Sequence, residues 1–326
     1  VVSQVLSTVL TVVAGIAAAL AVYWVLNKLA ESLPGGWESR IKPYFYVAPA
    51  VAAIGVYLVY PTVVTIIDSL KSSDSSRFVG LDNFGKLLST PAFRQTLLNS
   101  LLWIAVVPAA CIVVGLLVAA LADRLAPRAE KAAKTIIFMP MAISAVGSAT
   151  VWRFMYATQP AGTPQTGLLN GIVTAFGHDP IPWLQQSTLH SNSLLLMVML
   201  LWGQAGFSMV LLSAAIKGVP AETLEAARLD GAGEMLIFRR VILPQIRGTL
   251  ITVFVTVLIT VMKIFDVIYV TTNGAFNTNV VGLEFFNQLY TNYNYGYASA
   301  IVVMLLIAIV PIMIYQIRHF RAEESA

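Results

Sequence analysis

Residues capable of covalent chemistry are few and scattered along this 326-residue chain. The three histidines, His178, His190 and His319, lie far apart with no His-Glu-x-x-His spacing, and the single cysteine, Cys111, has none of them near it in sequence. No Gly-x-x-x-x-Gly-Lys-Ser/Thr loop is present to cradle the phosphates of ATP. Gly231-Ala232-Gly233 lacks the preceding strand and the third glycine of a dinucleotide site. No catalytic residue, metal site or bound cofactor is therefore expected, and no disulfide framework can form. What remains is polar chemistry inside apolar surroundings. Gln204 and Ser208 stand at i, i+4 beside Trp202 and Phe207. Thr256, Thr260 and Lys263 share one helical face, with Asp266 one turn further on. Such groups can hydrogen-bond a ligand or one another across helix contacts. At i, i+3, Lys263 and Asp266 are also spaced for an intramembrane ion pair, which would limit a cost of roughly 2.5–3.5 kcal/mol for each charge at depth.

The elements that must carry these groups are membrane helices. The composition is 58% hydrophobic and 11% charged, against about 25% charged in a soluble domain. Residues 1–27, 43–67, 95–122, 135–152 and 180–216 contain no charged side chain. Seven transmembrane helices are predicted, at about 5–27, 44–67, 97–121, 135–157, 193–216, 249–271 and 297–317. Each is long enough to cross roughly 30 Å of hydrocarbon, and isolated strands could not satisfy their backbone there. The first apolar run has no basic flank before it and no small-residue cleavage site near Tyr23, Trp24 and Leu26, so it is expected to be a retained helix and not a signal peptide.

Basic residues set the orientation. Fourteen fall in one set of alternate loops, among them Arg124, Arg128, Lys131, Lys134, Lys217, Arg239, Arg240, Arg247 and Arg318, and five in the other (Lys71, Arg77, Lys86, Arg94, Arg153). The richer side is predicted to be cytoplasmic. That places the C-terminus and the segment 217–248 inside and the N-terminus outside. No stretch reads as a nucleic-acid-binding patch.

Residues 217–248 form the one long mixed-charge stretch between two apolar segments. Pro220 suits a helix start, and Glu222 and Glu225 complement the positive end of the helix dipole. Gly231 and Gly233 permit a sharp turn. A second short helix is predicted from Glu234 to about Ile242, before Leu243-Pro244. The small residues Ala226, Ala227, Gly231, Ala232 and Gly233 leave backbone open to another protein. A rigid elbow fixed to two transmembrane helices would act as a lever, although the same pattern also suits a solvated loop with ordinary helix caps.

The spacing Glu225-Ala226-Ala227, three residues, Gly231, nine residues, Val241, one residue, Leu243-Pro244 resembles the EAA loop of bacterial ABC importer permeases, with Val241 in place of the usual isoleucine. Three further segments are similar to those of carbohydrate-importer permeases: residues 78–84 (FVGLDNF), 265–274 (FDVIYVTTNG) and 294–301 (NYGYASAI). The chain has Gly274-Ala275-Phe276 where many members have Gly-Gly-Pro, a variant nearer the maltose and α-glucoside type. The resemblance covers residues 44–317. It implies an all-α integral membrane protein of the type I ABC importer permease architecture, with residues 1–43 an extra N-terminal helix and cytoplasmic linker, 44–317 a six-helix permease core, and 318–326 a cytoplasmic tail.

It also implies a function. The chain would be a permease subunit of a bacterial plasma-membrane importer that carries a sugar, an α-glucoside or related oligosaccharide, by alternating access. Its partners would be a second permease subunit, two ATP-binding subunits holding ATP and Mg, and an extracytoplasmic sugar-binding protein. Glu225, Ala226, Ala227, Asp230, Gly231, Leu243 and Pro244 would couple to the ATPase. A sugar needs buried hydroxyl-matching groups and an aromatic face, for which Gln204, Phe207, Ser208, Thr256, Thr260 and Lys263 are the candidates. The stretch containing Asn287, Tyr290, Asn292, Tyr293, Asn294 and Tyr295 could meet the binding protein or form an interfacial aromatic belt. The competing expectation is an ion-coupled transporter working without an ATPase, for which Asp266 is the one intramembrane acid.

Overall fold

The computed structural model describes residues 2–32 and 37–324. Parts of the predicted N-terminal linker (33–36) and the end of the tail (325–326) lie outside the described residues. The chain divides into two compact units, Val1–Ile67 and Asp68–Ala326. The first holds α1 (Val2–Glu31), α2 (Trp37–Ile54), a π-turn at Gly55–Val59, and most of α3 (Tyr60–Asp68). The wider turn falls just before Pro61, which takes an N–H out of the helical ladder. Within this unit Tyr23 stacks on Tyr46, with ring centroids 6.2 Å apart, and the Tyr46 hydroxyl donates to Asn27 Oδ1 at 2.8 Å. Nearly every other described side chain faces outward, as apolar residues in contact with lipid would.

The second unit begins with α4 (Asp82–Ser89), α5 (Pro91–Ala122), α6 (Pro127–Phe138), α7 (Ala145–Met155) and α8 (Leu168–Ala175). It continues with α9 (Ser191–Lys217), α10 (Ala221–Leu229), α11 (Glu234–Ile237), α12 (Leu243–Gln245) and α13 (Arg247–Met262). It ends with α14 (Asp266–Thr271), α15 (Val281–Phe286) and α16 (Tyr295–Glu324). Its core is the packing of α5, α9 and α13 through Trp103, Val107, Leu196, Met209, Leu212, Val253 and Val257, all buried. Small residues let these helices approach closely. A Cβ on Gly115 would lie 2.8 Å from Ser208 Cβ, and one on Gly206 would lie 2.6 Å from Phe138 Cα.

Among the described residues, five helices are long and apolar enough to cross a membrane: Ser3–Glu31, Lys42–Asp68, Pro91–Ala122, Thr188–Lys217 and Tyr295–Arg318. Counting each of two bent pairs as one span raises the number to seven. One of these bends, and a separate break near Phe265, correct two of the predicted helices. The span expected at 135–157 is two pieces, Pro127–Ala142 and Ala145–Met155, meeting at 104°. Ile143 and Ser144 are extended there, and Ser144 Oγ accepts from the Gly147 N–H at 3.1 Å, starting a new helix. The helix expected at 249–271 stops at Met262, and Phe265 (φ −147°, ψ −33°) separates it from α14. Gly282 packs into this break, where a Cβ would stand 2.5 Å from the Ile264 carbonyl oxygen. Irregular backbone at membrane depth is tolerated when protein covers it in this way. The described part of the expected tail is helical, since α16 continues to Glu324.

Candidate functional site

The elbow forms as the residue pattern requires. Pro220 is the N-cap of α10, with Glu222 in the first turn. The helix closes with a Schellman motif: the Ala232 N–H donates to the Ala227 carbonyl and the Gly231 N–H to the Arg228 carbonyl, each at 3.0 Å. Gly231 holds φ +79° with no atom within 4 Å of where a Cβ would be, so backbone conformation alone demands glycine there. Across the turn Arg228 Nε donates to Glu234 Oε1 at 2.9 Å. That hydrogen bond, with the carboxylate's charge behind it, holds the guanidinium above its ordinary pKa. The chain then runs through α11, a π-turn at Phe238–Ile242 and α12, and bends by 71° into α13.

No side chain of α10 is buried. Glu225, Ala226, Asp230, Gly231 and Pro244 are exposed, while Ala227 and Leu243 are half-buried. Leu229 is 89% exposed and Met235 73%, apolar surface on a charged segment. Ile237 and Ile246 anchor the far side in the protein.

Behind the elbow is a charged brace that sequence reasoning missed. Lys134 on α6 donates to Asp123, at the end of α5, and to Glu130, both at 2.6 Å, and also to Ser213 of α9. Ser213 in turn donates to Asp123 Oδ1 at 3.0 Å. Lys217, the last residue of α9, pairs with Glu130 and lies 3.7 Å from Asp123. The brace ties α5 and α6 to the helix that leads directly into α10. Glu130 and Lys134 at i, i+4 were a legible half of it.

The residues proposed for a ligand are not all brought together. Ser208 is fully buried, its hydroxyl returns to the Gln204 carbonyl at 3.2 Å, and it packs on Gly115, so it makes a helix contact and lines no opening. Phe207 is half-buried against the core of α5, α9 and α13. Gln204 and Thr256 are half-buried, and the Thr260 hydroxyl donates to the Thr256 carbonyl at 3.0 Å. Lys263 is exposed and Asp266 half-buried, and no ion pair joins them. The helix break between them removes the i, i+3 register on which that pair depended. Trp202 meets Trp152 edge-on at 5.9 Å.

Beyond the break lies a feature not foreseen. Phe265, Tyr269, Phe286 and Tyr290 form a continuous aromatic row, with ring centroids 5.3 Å apart for Phe265–Phe286, 5.1 Å for Tyr269–Phe286 and 4.9 Å for Phe286–Tyr290. Tyr269 is 45% exposed and Tyr290 59%, so the row opens outward. Two i, i+4 pairs were visible in the sequence, but nothing there joined α14 to α15. The stretch 287–291 is a π-turn continuing α15 and not a free loop. It is followed by Tyr295, whose N–H donates to the Ser73 carbonyl at 2.8 Å. The segments 78–84 and 294–301 meet nearby. Asn83 donates to the carbonyls of Ser69 and Lys71, and Gly296 sits so close that a Cβ would lie 2.2 Å from the Lys71 carbonyl oxygen. Residues 273–277 include four left-handed positions, Asn273, Gly274, Phe276 and Asn277. Asn99 and Asn192 hold that turn by donating to its carbonyls.

A solved chain with this fold belongs to a bacterial alginate ABC transporter in complex with an alginate pentasaccharide-bound periplasmic protein. The TM-score is 0.74 at 20% identity, covering 85% of this chain and 94% of that one. Among curated proteins, the alpha-glucoside transport system permease protein AglF of Rhizobium meliloti is 40% identical, with 99% of both chains covered. The osmoprotective compounds uptake permease protein GgtC of Synechocystis is 42% identical over 86% of this chain and 99% of its own. The family model for inner membrane components of binding-protein-dependent transport systems matches residues 111–321, which contain the elbow, its brace and the aromatic row. The chain belongs to the family of inner membrane components of binding-protein-dependent transport systems, as a permease subunit and not an enzyme.

Proposed function

We propose that the chain forms one half of the transmembrane pathway of an ATP-driven importer for α-glucosides or closely related glycosides. The observation that carries this reading is α10, a short helix with no buried side chain, closed by a Schellman turn and presenting Leu229, with Met235 of α11 exposed just beyond the turn. Exposed apolar side chains on a charged, rigid segment mark a docking surface. The occupant is an ATP-binding subunit carrying ATP and Mg. Two such subunits, a second permease and an extracytoplasmic binding protein complete the assembly. The elbow and C-terminus face the cytoplasm, and the N-terminus faces outward.

Closure of the ATPase pair would push on Glu225, Ala226, Ala227, Asp230 and Gly231. The brace at Lys134 and Lys217 transmits that push to α5 and α6, while Leu243-Pro244 passes it to α13. The aromatic row offers the faces on which sugar rings stack, and Gln204, Thr256, Thr260 and Lys263 are the candidate hydroxyl partners. The likeness to AglF over nearly the whole chain supports an α-glucoside. The likeness to GgtC favours, as a second reading, an osmoprotective solute.

The test is uptake into proteoliposomes containing the assembled transporter and its binding protein. ATP-dependent accumulation of labelled α-glucosides is expected, with Phe286→Ala raising KM. Uptake driven by a proton or sodium gradient in the absence of ATP would overturn the coupling reading and restore the ion-coupled one. ATP-dependent uptake restricted to a non-glycoside solute would overturn the substrate.

A further inference from the structure

An apolar groove of about 610 Å³ lies between α5, α13 and α16, lined by no residue of α10 or of the aromatic row. Its walls include Ile112, Leu250, Phe254, Leu258, Pro311 and Tyr315. Pro311 stands inside α16, where its ring removes an N–H and loosens the wall. Along α13 the groove begins one turn after Arg247 and continues to Leu258. At 1.5 Å per residue that is about 16 Å from the guanidinium-bearing residue to the inner end, close to the depth of one leaflet, half of roughly 30 Å. On α16, Arg318 follows Tyr315 by one turn. Arg247 and Arg318 are both exposed, and among the described residues neither has a hydrogen-bond or ion-pair partner.

We propose that this groove holds an acyl chain of an anionic phospholipid of the cytoplasmic leaflet, with its phosphate between Arg247 and Arg318. Guanidinium groups match phosphate oxygens bidentately, and an anionic headgroup supplies the charge that both arginines lack. The lining supplies no carboxylate and suits a hydrocarbon chain. The proposal rests on α16 ending on the same side of the membrane as the elbow, which the distribution of basic residues requires. It does not depend on what is transported.

The experiment is native mass spectrometry of the delipidated full-length protein in its complex, titrated with phosphatidylglycerol or phosphatidylcholine of identical chains. Wild type should retain phosphatidylglycerol with about thirtyfold higher affinity, as two basic residues near an anionic headgroup supply. R247Q/R318Q should retain the two lipids equally, and Leu258→Trp, which fills the groove, should weaken both. Equal retention of the two lipids by wild type would overturn the proposal. So would an unchanged preference in R247Q/R318Q, or loss of preference in R247Q with R318Q at the wild-type level, which would show that the two arginines do not flank one phosphate. Efficient cross-linking of Phe254→Cys to the second permease would assign the groove to a subunit contact and overturn it as well.

Discussion

Replacing Gly231 by alanine should cost the elbow about 1–2 kcal/mol, because its φ of +79° lies where an L side chain is disfavoured. Nothing lies within 4 Å of where the alanine Cβ would stand, so the cost is in the backbone alone. Through RT of about 0.59 kcal/mol, that penalty is roughly a 5- to 30-fold loss in the ratio of closed to opened elbow. Asparagine tolerates the left-handed region better and should lose less. Proline cannot reach that φ and also removes the N–H that donates to Arg228, so it should lose most, about 3 kcal/mol or more. Uptake per inserted molecule should therefore rank Gly, Asn, Ala, Pro. The assay is ATP-dependent accumulation in proteoliposomes, normalised to the protein found in the membrane. Salt gives a second axis: the exposed Arg228–Glu234 pair reinforces the turn, so the alanine defect should deepen as ionic strength rises. Equal uptake by all four proteins would refute the claim that the geometry of this turn carries the stroke. An order in which asparagine is worse than alanine would refute the left-handed argument specifically.

The brace and the helix packing give two more tests. Lys134→Met removes the cation bonded to Asp123, Glu130 and Ser213 together and leaves only Lys217 facing the two carboxylates, so Tm should fall by roughly 2–4 °C in a thermal-shift assay. An unchanged Tm would show the brace to be incidental. Gly206→Ala places a Cβ 2.6 Å from the Phe138 Cα, backbone that cannot step aside, and should cost about 1–3 kcal/mol and reduce the yield of folded protein in detergent. Gly203→Ala, with nothing within 4 Å, is the control and should behave as wild type; similar yields for the two would contradict the close contact of α6 with α9.

Charge-free apolar runs were enough to place the spans, because crossing a bilayer is a matter of length and composition. The elbow was legible for a different reason: its geometry is local, set by Pro220, the small residues and a glycine that must be left-handed. The two breaks were harder. Pro140 and Ser144 stood in the run at 135–157, yet a count of apolar residues ignores them. The break at 263–265 has no proline or glycine of its own, and its close neighbour is Gly282, a residue from another element. For that reason the Lys263–Asp266 pair looked sound at i, i+3 and does not exist. Ser208 packs on Gly115 of a different helix, a contact that no pattern within its own helix shows. The aromatic row and the Asp123–Lys217 side of the brace are likewise assembled from segments distant in sequence, and no periodicity within one segment could reveal them.

The turn at 273–279 has a consequence for the order in which the protein is made. Asn99, buried in α5, donates to the carbonyls of Asn277 and Asn279, which lie 178 and 180 residues later in the chain. At a synthesis rate of about 5–20 residues per second, α5 waits on the order of ten to forty seconds for these acceptors to emerge. During that interval the Asn99 carboxamide lacks the two carbonyls that it finally meets. Gln95, one turn earlier and donating to Asn99 Oδ1 at 3.1 Å, provides a local partner from the outset. The Asn99 amide N–H groups have to wait, so this end of the bundle can lock only after α14 and the turn beyond it have left the ribosome. A chain truncated before residue 277 would retain its early spans without this clasp, and its α5 would present an unsatisfied amide to the membrane's quality-control proteases.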